Sequence, residues 1–170
     1  MNREERNALI EEYGRGYDLF APALAEIPRK AWDFKPALNE WSIHETIIHM
    51  ADSESIGATR ARILIAQPGT TLMAFDDVAW CARLDYKNQN VDDALLVFKM
   101  VRLTTYHLLK ALPDETFSHT VVHPERGYPE YGESYTLEKW LRIYTRHARD
   151  HIEQLKKNYQ SWQALAKQSH

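Results

Sequence analysis

Leu137, Leu141, Tyr144, Ala148, His151, Leu155, Trp162 and Leu165 fall on one line of a helix that begins near Thr136 and runs for about 30 residues. At 1.5 Å per residue such a helix is about 45 Å long. An apolar line of that length must be covered along its whole course, and other helices are its simplest cover.

The rest of the chain supplies them. Ile10, Tyr13, Tyr17, Phe20, Leu24 and Ile27 alternate spacings of three and four, the pattern of one apolar helix face, and Pro28 closes that first helix. Gly14 and Gly16 weaken its middle without disturbing its period. The second helix opens at "WSIHETIIHMADSE", where Ser42 can cap the first turn and Glu45 can complete a capping box. Trp41 can pack back over those turns. Ile43, Ile47, Met50, Gly57, Ala61 and Leu64 mark its packed face until Pro68 and Gly69 stop it. A third helix starts after the N-cap Asn90 and carries Ala94, Leu95, Phe98, Val101, Thr105, Leu108 and Leu112 to Pro113. Four amphipathic helices without a convincing set of strands predict an all-α four-helix bundle, read as a single domain over residues 1–170.

Two connections are too long for simple turns and read as crossovers, which often carry function. "QPGTTLMAFDDVAWCARLDYKNQ" joins the second and third helices and has room for a short helix around Asp77 to Leu84. "PDETFSHTVVHPERGYPEYGESY" joins the third and fourth, and Thr120, Val121 and Val122 before its Pro/Gly cluster suit a small hairpin.

Charge and cysteine content exclude several functions. A net charge of −3 with no basic block gives phosphate backbones and anionic membranes nothing to attract them. Cys81 is the sole cysteine, so an intrachain disulfide and a thiolate cage are both out of reach, which suits a reducing interior. Without a signal-like N-terminus or a long apolar run, the expected location is cytoplasmic, with no nucleic-acid or membrane partner.

His147 and His151 stand one turn apart on the fourth helix, close enough to converge on one ion. Spacing alone is weak, since eight histidines in 170 residues produce about 0.4 such pairs by chance. Position adds weight, because His151 lies in the packed line and His147 on its shoulder. A buried imidazole needs partners for both nitrogens, so the pair is either neutral packing held by carbonyls or carboxylates, or a metal site. His49, on the second helix, can face the pair across the bundle. Three imidazoles with an open position can build a catalytic zinc site, and imidazole also suits nickel, copper or iron. "HARDH" lacks the general base of a zinc protease, because Ala148 stands in its place; Asp150 is expected to face solvent or an arginine. His44 points about 140° away from His49. His107 reads as a half-buried packing residue, His119 and His123 as solvent-exposed, His170 as a frayed terminus and Cys81 as a small buried hydrophobe.

"WSIHETIIHMADSE", "FDDVAWCARLDY" and "TLEKWLRIYTRHARDHIEQL", in that order, resemble the DinB superfamily over roughly residues 36–156. The resemblance is to its YfiT-like branch of metal-dependent hydrolases and bacillithiol-transferase-like proteins. It implies a four-helix bundle with a divalent metal, commonly zinc or nickel, held by one histidine of the second helix and two of the last. Those positions here are His49, His147 and His151. Relatives of this kind include thiol-dependent transferases and a thiol-dependent isomerase, so a low-molecular-weight thiol is an expected cosubstrate.

The expected enzyme uses the metal to activate a thiol for transfer to an electrophile, or water for hydrolysis of a small-molecule substrate. A stress-associated helical protein with a structural ion in a closed four-ligand sphere is the rival. Asp52, one turn after His49, is the first candidate to orient a metal-bound imidazole, and Gln154 the second. Phe75, Trp80, Tyr128 and Tyr131 are expected to roof the open side. Exposed apolar positions on the first and third helices leave room for a homodimer.

Overall fold

The computed structural model describes residues 1–124 and 134–168; Tyr128, Tyr131 and His170 lie outside them. The elements in order are α1 (Arg3–Gly14), α2 (Gly16–Ala25), α3 (Ile43–Ala66), α4 (Asp77–Arg83), α5 (Val91–Lys110), β1 (Thr120–Val121), β2 (Tyr135–Thr136) and α6 (Leu137–Gln168), with short 3₁₀ turns between some of them. α3 packs against α5 and α6, and α1 and α2 pack on the same two helices. The bundle therefore sets the N-terminal helices diagonally across from α3. Among the described residues no helix is long and apolar enough to cross a membrane.

Local signals place most boundaries. Ser42 accepts from the Glu45 amide while the Glu45 side chain accepts from the Ser42 amide, so both halves of the capping box are made. Asn90 caps α5 through the amides of Asp92 and Asp93. The short crossover helix appears as α4, with Asp76 as its cap. The hairpin is present too, β1 pairing antiparallel with β2.

Several expectations are corrected. The N-terminal helix is two elements, broken at Arg15. At Gly16 the Arg102 guanidinium occupies the space a β-carbon would take, so the break admits a side chain from α5. His123 is buried, its ring 4.7 Å from that of Tyr135, because the hairpin folds it inward. His107 is exposed rather than half-buried, and Cys81 is only partly buried. Leu165 is exposed, because α6 outruns the bundle that covers its earlier turns. α5 also turns Leu96, Met100 and Leu103 outward.

The core is divided. Phe20, Ile47, Phe98, Ile152 and Leu155 belong to one apolar cluster, and Ile10, Leu64, Leu109, Trp140 and Leu141 to another. Between them along the helices runs a polar layer. Glu54 and Arg102 are both fully buried there, with Arg102 Nη2 donating to Glu54 Oε2 at 2.7 Å and Nε donating to the same oxygen at 3.1 Å. The Tyr13 hydroxyl donates to the other Glu54 oxygen, and Arg102 also donates to the Tyr13 and Tyr144 carbonyls. Burying such a pair is tolerable only when its remaining donors and acceptors are satisfied, as they are here. Of the histidines, His147 borders this layer, three residues after Tyr144, while His49 and His151 stand level with the first cluster.

Candidate metal centre

His49 comes from the second turn of α3, and His147 and His151 from the middle of α6. Two contacts bring these helices together. Trp140 Nε1 donates to the Gly57 carbonyl at 2.9 Å, and the Tyr144 ring fills the space beside Gly57 that any β-carbon would need. Two turns before Gly57 stands His49, and one turn after Tyr144 stands His147.

The three Nε2 atoms turn toward one another. His49 and His147 are 3.3 Å apart at Nε2, and His147 and His151 are 3.0 Å apart. One ligand atom from each of the three rings lies within 4.8 Å of the others. Nitrogen ligands 2.0–2.1 Å from a tetrahedral zinc ion stand about 3.3 Å from each other, so the donor set fits a divalent cation of that size. Protons are a poor substitute. Burial, and then the neighbouring His151, pushes His49 down to about 3; burial followed by the charges of His151 and His49 holds His147 well below its ordinary value, and burial lowers His151 as well. Neutral imidazole is the form that binds metals.

One imidazole has its orientation locked. His151 Nδ1 donates to Gln154 Oε1 at 2.7 Å, which leaves Nε2 as the lone-pair nitrogen. Asp52 makes no hydrogen bond to His49 Nδ1, and its carboxylate accepts from the Tyr86 hydroxyl at 2.6 Å instead. The Nδ1 atoms of His49 and His147 are buried without a hydrogen-bond partner among the described residues. His49 is instead held by a tilted ring contact, at an interplanar angle of 44°. The Trp41 ring lies 4.5 Å from it, and the Trp41 carbonyl accepts from buried Asn158 on α6 at 2.8 Å.

The cluster forms part of the wall of a cleft of about 640 Å³, whose lining also includes Trp41, Ser53, Arg60, Phe75 and Asp77. Phe75 stacks toward His49 at 6.3 Å and meets Trp80 edge-on at 4.8 Å, so the first crossover supplies part of the expected aromatic roof. Asp150 pairs with Arg146 at 3.3 Å, as expected of a surface carboxylate. His44 is taken up elsewhere, its Nε2 2.9 Å from the Gln89 carbonyl oxygen, and His119 Nδ1 lies 3.2 Å from that of Leu64. Ser53 and Arg60 escaped the sequence reading. Their spacing from His49, four and eleven residues along α3, was the available signal, since it puts all three on one helix face.

Comparison with known proteins agrees with this architecture. The sequence profile of the DinB superfamily matches residues 12–155. A candidate metal-dependent hydrolase from Bacillus licheniformis is 24% identical over 138 residues, covering 81% of this chain and 76% of the relative. YfiT of Bacillus subtilis, named in the same terms, is 25% identical over 112 residues, covering 66% of this chain and 60% of its own length. The solved structure of YfiT, described as a probable metal-dependent hydrolase with an unusual four-helix bundle topology, superposes with a TM-score of 0.82 at 20% identity, over 93% of this chain and 87% of that one. That likeness establishes the fold.

Proposed function

Because this chain belongs to the DinB superfamily, we propose that it is a metal-dependent enzyme in which His49, His147 and His151 hold one divalent cation and the adjoining cleft receives a small-molecule substrate. The observation that carries this reading is the convergence of three neutral imidazole nitrogens at the wall of a cleft. A bound zinc or nickel ion would supply Lewis acidity, making water or a thiol nucleophilic near neutral pH.

The chain's own residues do the positioning. Gln154 keeps the lone pair of His151 directed inward, and Trp41 and Phe75 present apolar surface that limits water beside His49. No cysteine lies among the described lining residues, so a thiol nucleophile would come with the substrates. We favour a low-molecular-weight thiol transferred to an electrophile. Hydrolysis is the second reading, favoured by the descriptions carried by the relatives. A structural ion is less well supported, because the cluster has three such donors among the described residues and adjoins a cleft.

Elemental analysis of protein purified without a metal-affinity tag tests the site. About one divalent ion per chain is expected, lost in His49→Ala, His147→Ala and His151→Ala; unchanged metal content in these variants refutes the ligand assignment. The metal-loaded protein is then assayed with several cellular thiols and a chlorinated nitroarene, and separately with activated esters. Turnover with a thiol above the variants' background supports transfer, and turnover only of the esters supports hydrolysis.

A further inference from the structure

A helix at the corner of a bundle needs one apolar face, and α5 has two. Val91, Ala94, Phe98 and Leu109 are buried on the inner side. On the outer side Leu96, Met100 and Leu103 are 60%, 51% and 39% exposed. From Asp93 through these three to His107 the intervals are three, four, three and four residues, which sets the five side chains within about 80° of the helix circumference. That is the spacing of a seam between two packed helices, here apolar in the middle and polar at both ends. The charges flanking it are engaged within the chain: Arg29 holds Asp92 at 2.7 Å, Glu11 holds Lys110 at 2.7 Å, and Lys99 lies over the Tyr17 ring. Among the described residues the side chains of Asp93 and His107 form no ion pair.

The order of residues along the seam selects its occupant. Met100 is midway between Asp93 and His107, and Leu96 and Leu103 stand almost evenly about it. A second copy laid antiparallel therefore sets Met100 against itself and Leu96 against Leu103. It also brings each Asp93 carboxylate to the His107 imidazole of the other copy, which can donate an N–H to it. A parallel pair would oppose Asp93 to Asp93 instead, at an electrostatic cost. A lipid surface would have to accept a carboxylate in line with the leucines, and an unrelated helix requires no such symmetry about one residue. We propose that the outer face of α5 is a homodimer interface, with two copies paired antiparallel about a two-fold axis at Met100. Two-fold pairing demands a patch that is its own complement, and this one is. No residue of α5 is among the described lining of the histidine cleft, so the interface leaves that cleft open and does not depend on the metal reading.

Sedimentation equilibrium of the full chain tests the association. The wild type is expected to be a dimer. Met100→Glu, which sets two carboxylates at the axis, should raise the dissociation constant about 100-fold or more with the helical circular dichroism unchanged. Cross-linking with oxidised glutathione in a Cys81→Ser background reads the orientation. Met100→Cys is expected to link to itself, and Leu96→Cys to link to Leu103→Cys when the two variants are mixed. Leu96→Cys alone should not link, because its two copies would stand about 12 Å apart along the helices. A monomeric wild type overturns the proposal, and binding of that monomer to phosphatidylcholine vesicles would give the stripe to a lipid surface. A dimer that persists in Met100→Glu overturns it by placing the contact on another face. Self-linking of Leu96→Cys as readily as Met100→Cys overturns it by making the pair parallel.

Discussion

Gly57 and Tyr144 meet where α3 crosses α6, and the tyrosine ring stands where a side chain at residue 57 would begin. The same crossing carries the Trp140 hydrogen bond to the Gly57 carbonyl, so it sets how closely the two histidine-bearing helices approach.

Enlarging residue 57 should therefore damage the proposed metal site from a distance. Gly57→Val is expected to lower stability by about 1–3 kcal/mol through overpacking and to weaken metal binding by about ten-fold or more. Chelator competition and urea denaturation measure the two effects. Full metal affinity in this variant would show that the crossing does not position the ligands.

Gln154 provides a milder perturbation. Gln154→Leu removes the acceptor for His151 Nδ1 while keeping a side chain of similar size. Metal affinity should fall about 10–100-fold, the range seen when such supporting partners are lost, with the helical circular dichroism unchanged. The matching change Asp52→Asn should leave affinity within about two-fold, since that carboxylate serves Tyr86 rather than a ligand.

The buried histidines make the metal-free protein acid-sensitive. An unfolded chain protonates these rings near pH 6.5, whereas the folded protein resists, His49 down to about 3. Between those limits the unfolded state binds more protons, so stability is complete above about pH 6.5 and is lost as pH falls toward 3, by up to about 1.4 kcal/mol per pH unit for each ring. Urea midpoints between pH 7.5 and 5 should show this slope in metal-free protein. His147→Phe should flatten it; an equally steep variant would assign the acid sensitivity to other groups.

The Glu54–Arg102 pair is costly to break from one side. Glu54→Gln leaves a buried guanidinium uncompensated and should destabilise the fold by about 3–5 kcal/mol. Removing both charges in Glu54→Leu/Arg102→Met should be less damaging than Glu54→Gln alone, because no lone charge remains. Equilibrium denaturation of the single and double variants checks the order, and a double variant weaker than the single one would contradict it.

Much of this arrangement could be read from the chain before any fold was known. The period of α6, the Ser42–Glu45 box, the Asn90 cap and the short helix after Asp76 are local events, each decided by residues within a turn or two. The break at Arg15 was less legible, because glycines allow a continuous helix as well as an interrupted one, and the presence of Arg102 against Gly16 depends on a residue far along the chain. His123 and Arg102 were likewise hidden, since burial of a polar ring or a guanidinium depends on partners that no local pattern announces.

For the histidines the division is sharp. The pitch of an α-helix puts His147 and His151 side by side whatever surrounds them, so their pairing belonged to the sequence alone. Packing decided the rest: the depth of the α3 and α6 crossing at Gly57, the arrival of His49 within 3.3 Å of His147, the choice of Gln154 over Asp52 as a hydrogen-bond partner, and the placing of Arg60 along the same cleft. Distances along one helix are fixed by covalent geometry and hydrogen bonding, whereas distances between helices are set by which side chains must fit between them.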